Sequence, residues 1–146
     1  MESLLQLAKK VKLLNSHKLY LDALRDKGIQ YQVVKLITLD QLYDKGIRGD
    51  GKSLGEYSSY TKLKKQEAGQ KYSNVTLLDG GDFYESVKVF LKSSAWYVDG
   101  DTEKEDKDLR DVYGDGILDL TDENYAIIAD HIKDYAFNIW LPKKLL

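Results

Sequence analysis

The sequence predicts an α+β fold made of N-terminal helices, a small antiparallel sheet or hairpin, and a C-terminal helix. Three observations carry this. Apolar residues recur at helical spacing through residues 1–45, β-branched and aromatic residues gather between 73 and 99, and one apolar stripe runs along 121–141. Helices, then strands, then a helix is α+β order rather than the alternation that builds a parallel sheet. A chain of 146 residues buries roughly two thirds of its unfolded surface around one core, so residues 1–146 read as a single domain.

The elements follow in order. Leu4, Leu7, Ala8, Val11 and Leu14 share one side of a helix with Lys9, Lys10 and Lys12 on the other, so Ser3 to Leu14 reads as amphipathic and Asn15 as its stop. Ser16 can cap a second helix in which Tyr20, Ala23 and Leu24 share a face and Gly28 offers a left-handed end. The stretch from Ile29 fits both periods in part; its length and its ending at Gly46 favour a helix. Residues 46–72 read as a polar, glycine-rich loop, too long for an ordinary connection and so expected to have a task or a partner. In 73–99, Val75, Leu77, Tyr84, Val87, Val89, Leu91, Trp96 and Val98 suit strands, with a hairpin turn over Lys92 to Ala95. Residues 100–120 form a charged excursion. Thr121 then caps a final helix whose Tyr125, Ile128, Ala129, Ile132, Ala136 and Trp140 make one stripe, and Pro142 is expected to end it.

Composition excludes several chemistries. No cysteine is present, which removes disulfides, thiolate metal sites, iron–sulfur clusters and cysteine nucleophiles. The opening MESLLQLAKKVKLL lacks the basic end and unbroken apolar run of a signal peptide, and nowhere do about eighteen apolar residues run together, so a cytoplasmic site of synthesis and no membrane are expected. The net charge of −2 is unevenly spread: residues 1–73 carry 14 basic and 8 acidic side chains, residues 74–146 carry 8 and 16. Were these halves on different faces, the basic face of one copy could meet the acidic face of the next and build head-to-tail rings; otherwise they neutralise one another within the subunit.

The candidate motifs are weak. His17 and His131 stand in no metal or triad spacing and read as structural or solvent-facing. The run from Asp99 alternates carboxylates like half of a calcium loop, but Lys104 stands where glycine is needed and Arg110 where the bidentate glutamate is needed. GDGILDLTDE lacks the same ligand set. GGDF at Gly80–Phe83 looks like a fragment of a cyclic-dinucleotide synthase signature, yet Phe83 occupies the place of the required second acid. GIRGDGKSLG departs from a phosphate loop in its glycine spacing and has no strand before it. Asp79, Asp82 and Glu85 are the only clustered acids an enzyme could use. Neither a catalytic set nor a metal or cofactor site is expected. Lys62, Lys64 and Lys65 with Tyr57, Tyr60 and Tyr72 form a basic, aromatic strip that could meet nucleic acid or, in an acidic chain, be a packed helix face or a surface for a protein partner.

The middle of the chain, QLYDKGIRGDGKSLGEYSSYTKLKKQEAGQKYSNVTLLDGGDFYES, resembles phage virion-morphogenesis and tail-completion proteins. These carry a short helix, a glycine and polar loop, "YS..T...K", a further glycine and "L.DTGDFY.S". The matching positions are Leu42, Gly46, Gly51, Tyr57, Ser58, Thr61, Lys65, Gly69, Leu77, Asp79, Gly81, Asp82, Phe83, Tyr84 and Ser86. A hairpin, the pair Tyr113–Gly114 and ILDLTDEN opening a last helix continue the likeness, which spans residues 39–132 and is nearest in flavour to crAss-like gut phages. Gly80 stands where threonine is usual, which puts a local side-chain cap in question but not the turn. The resemblance implies a non-enzymatic virion protein, a subunit of the neck, connector or tail-completion ring below the portal. Its partners would be copies of itself, the portal or other neck and tail proteins, and weakly the packaged DNA. The polar loop would order against a neighbour.

Overall fold

The computed structural model describes Ser3 and residues 16–145; the expected helix from Ser3 to Leu14 and its stop at Asn15 lie outside the described residues, Ser3 apart. The architecture is α+β, with helices, one two-stranded antiparallel sheet and a helix closing the chain.

Helix α1 (Ser16–Leu24) buries Leu21, Ala23 and Leu24, while Tyr20 stays exposed. It ends at Arg25 and Asp26 rather than at Gly28. Asp26 is extended and its carboxylate accepts from the Ile29 N–H at 3.0 Å, which starts α2 (Lys27–Lys35) with Gly28 inside its first turn. Gln30 closes the junction by donating to the Leu24 carbonyl at 2.7 Å. The expected helix over the ambiguous stretch is present. It passes into π-type winding over Leu36–Lys45, and the wider turn points both Gln41 and Leu42 inward after Ile37. Gly46 ends it at φ 62°, where a Cβ would lie 2.7 Å from Asn74 Nδ2.

Residues 46–72 are not a plain loop. Ile47 and Ser53 pair antiparallel, Leu54 N–H donates to the Gly46 carbonyl at 2.8 Å, and the Gly49 N–H donates to Gly116 at 2.8 Å. The segment is therefore ordered against its own subunit. Helix α3 (Ser59–Glu67) follows, capped by Ser58, whose hydroxyl accepts from Thr61 N–H at 3.2 Å. Periodicity concealed this helix because it buries nothing, so no apolar stripe marks it.

Of the expected strand region only two short strands form. Val75 and Thr76 are buried in irregular chain, and Asp82–Ser86 is a helical turn, α4, that drives Phe83 into the core. Strands β1 (Lys88–Leu91) and β2 (Trp96–Asp99) pair with Lys88 opposite Asp99 and Leu91 opposite Trp96. The turn lies at Lys92–Ala95 as expected, closed by a 2.7 Å bond from the Lys92 N–H to the Ala95 carbonyl. Val89, Leu91, Trp96 and Val98 pack toward the core, and Phe90 stacks on Tyr97 on the outer face.

Residues 100–120 also depart from expectation. Helix α5 (Leu109–Tyr113) and a 3-10 turn (Asp115–Leu118) bury Leu109, Ile117 and Leu118, with Leu120 buried just after. These four apolar residues are scattered among acids, so charge density hid a core segment. The final helix α6 (Asp122–Tyr135) is capped by Thr121, which accepts from Asn124 N–H at 3.2 Å. Thr121→Ala is expected to cost about 1 kcal/mol, read as a lower urea midpoint.

The chain stays helical past Pro142. π-type winding over Ala136–Trp140 leads into Leu141–Leu145, and this wider turn accommodates a residue with no N–H to donate. In the predicted stripe Ile128, Ile132 and Trp140 are buried, whereas Tyr125 is exposed with its edge against Trp96. One apolar cluster joins residues from Ala23 to Ile132.

Candidate assembly surface

Thr76 organises the middle of the chain. Its N–H donates to the Tyr57 hydroxyl at 3.0 Å, its hydroxyl accepts from Leu78 N–H at 3.1 Å, and its carbonyl accepts from the Tyr84 hydroxyl. Burial, with Tyr57 and Tyr43 nearby, raises the Tyr84 pKa above the ordinary phenol value, so the hydroxyl stays a donor. Ser86 continues the tie, donating to Phe83 and accepting from Asp101 N–H. Tyr57, Phe83, Tyr84 and Ser86, all positions that carry the resemblance, thus serve packing and backbone satisfaction. Gly80 and Gly81 have φ of 72° and 87°. A threonine at Gly80 would be strained there, so this turn is built on backbone freedom. Leu77, between Thr76 and the turn, is itself left-handed at φ 58°.

The strip proposed from sequence divides between the two sides of α3. Lys65 lies over the Tyr57 ring at 4.8 Å and reaches the Leu78 carbonyl and Gln70, each at 3.4 Å. Lys62 pairs with Glu56 at 3.4 Å, and Lys64 sits 5.5 Å over the Tyr60 ring. Tyr60 is 70% and Leu63 54% exposed, on a helix none of whose side chains is buried. Tyr72 is exposed too but sits on a separate stretch after Gly69. Leu63 was absent from the sequence-derived set. A helical reading of 59–67 would have found it at i+3 from Tyr60.

Beneath α3 lies a cleft of about 430 Å³. It is lined by Tyr57, Thr61, Lys65 and Leu77 to Asp79 from the middle of the chain and by Lys104 to Lys107, Leu109 and Tyr113 from the later segment. Lys65 of α3 and the acids Glu105 and Asp106 therefore flank one opening, so at this place a residue of the basic half and residues of the acidic half are neighbours. The segment below is tied down by Arg48, whose guanidinium pairs with Asp50 at 2.8 Å and donates to the Tyr113 carbonyl at 3.3 Å. The Lys52 N–H, and beside it the Arg48 guanidinium, hold the Asp50 carboxyl below its ordinary value.

A second polar cluster is centred on the buried Gln41 and Asn124. Gln41 Nε2 donates to the Asp119 carbonyl at 2.8 Å, while its Oε1 accepts from Thr121 N–H and Asn124 Nδ2, each at 2.9 Å. Asn124 also donates to Asp40 at 3.0 Å. His131 is half-buried on α6, and His17 falls in α1. Among the described residues no group of three or more His, Asp or Glu side chains is placed to hold a metal ion, and no helix is long and apolar enough to cross a membrane. Compared with family models, curated proteins and solved structures, the chain matches none of them.

Proposed function

We propose that this chain is a structural subunit that works by assembling with other protein subunits, in the neck, connector or tail-completion ring of a tailed phage. The observation that carries the assembly reading is α3. A nine-residue helix is marginal in water unless one face is packed, yet α3 buries no side chain and holds Tyr60 and Leu63 out to solvent. An element displayed in this way is suited to be covered by a partner, and an exposed tyrosine is the kind of residue that anchors protein contacts. The narrower assignment to a phage neck draws on the resemblance over residues 39–132. The alternative, a nucleic-acid-binding module built on Lys62, Lys64 and Lys65, has less support, because each lysine already has a partner within the chain.

Mass spectrometry of purified particles tests the proposal. The chain is expected in several copies per particle. Its absence from particles, while it accumulates in the cells that make them, removes the virion role.

A further inference from the structure

Tyr60, Leu63, Lys64 and Glu67 occupy positions i, i+3, i+4 and i+7 of α3, a single stripe, and all four are exposed. Thr61 and Lys65, which line the cleft, lie about 130° away around the helix at 3.6 residues per turn. Stripe and cleft are therefore on different sides of one rigid element, and the stripe cannot enter the cleft of its own subunit.

The two surfaces match in chemistry. The stripe offers two apolar side chains flanked by one cation and one anion. The cleft offers Leu77, Leu78 and Leu109 among its lining residues, together with charges of both signs at Asp79, Lys104, Glu105, Asp106 and Lys107. We propose that α3 of one copy seats Tyr60 and Leu63 in the cleft of a second copy, with Lys64 toward Glu105 and Asp106 and Glu67 toward Lys104 or Lys107. This rests on the assembly reading above and names its contact. Because the two surfaces differ, the contact is heterologous and repeats from copy to copy, closing as a ring or running on as a filament. Docking removes Tyr60 and Leu63 from water and packs the one face that α3 lacks.

The chain has no cysteine, so introduced thiols report cleanly. One preparation carries Leu63→Cys and a second Glu105→Cys; they are mixed at high concentration and oxidised, and the same pair is oxidised in particles. A disulfide needs the two Cα atoms within about 7 Å. The expected product is a dimer of the two different chains, at least tenfold over either variant alone. Predominant joining of Leu63→Cys to itself overturns the pairing, since that contact is isologous. Preferential joining to Phe137→Cys, an exposed position on the last helix, overturns it as well. If particles contain the chain but neither they nor the free protein form the 63–105 link, this docking fails while the virion role stands. A link in free protein that is absent from particles because the chain is not there supports the docking and removes the virion role.

Discussion

Gln41→Ala is expected to destabilise the protein by about 4 kcal/mol. Its side chain is 0% exposed, and it joins the π-type end of the second helix to the start of the last one through three hydrogen bonds. Alanine leaves the buried Thr121 N–H and the partly buried Asp119 carbonyl without their partner, and each such loss costs roughly 1–3 kcal/mol. The emptied volume adds a packing loss. Asn124 retains Asp40, so the damage falls mainly on the two backbone groups. Urea unfolding followed by circular dichroism should show a much lower midpoint at an unchanged slope. Gln41→Glu should recover only part of the loss, because a carboxylate accepts from Thr121 and Asn124 but cannot donate to Asp119 and must be buried charged or take up a proton. A change in unfolding free energy under about 1 kcal/mol for the alanine variant would show that the cluster holds nothing together.

Gly49→Ala should lower stability by about 2–3 kcal/mol, with a fall in melting temperature of roughly 10 °C. A Cβ there would lie 2.5 Å from the Asp119 Cβ and 2.7 Å from its carbonyl oxygen, and much of what it meets is backbone that cannot swing aside. Relief requires breaking the 2.8 Å bond from Gly49 N–H to Gly116, which frees Arg48 from Tyr113 and loosens one wall of the cleft beneath α3. Hydrogen exchange should therefore quicken at Gly49 and Leu54 before the core opens. Gly51→Ala is the control. Its φ of 81° imposes strain, but nothing stands within 4 Å, so the loss should stay near 1 kcal/mol with protection at Gly49 unchanged.

What was legible in the sequence shares one property, a signal confined to a few neighbouring residues. The Thr121 cap, the helix end at Gly46 and the hairpin turn at Lys92–Ala95 depend on local backbone and stand in the structure, and of the stripe from Tyr125 to Trp140 Ile128, Ile132 and Trp140 are buried while Tyr125 is not. Gly28 misled because glycine permits a helix end without requiring one, and the nearby Asp26 could cap. Pro142 misled because a π-type turn before it relaxes the demand for its N–H. The candidate surface was half legible: tyrosines and lysines between 57 and 72 could be read as a contact strip, but which of them face outward could not.

By itself the sequence determined the α+β class, the helix and turn signals just named, and the absence of any thiol chemistry, since periodicity, capping residues and composition act without reference to distant chain. Only the tertiary structure decided that Leu109, Ile117 and Leu118 belong to the core, that Gln41 holds the Asp119–Thr121 backbone, and that Thr61 and Lys65 of α3 share a cleft with Lys104 to Lys107. The reason is physical. Burial and hydrogen-bond satisfaction at these places join residues some 80 positions apart in the case of Gln41 and Thr121, and a short window of sequence carries no record of which distant groups will share one low-dielectric site.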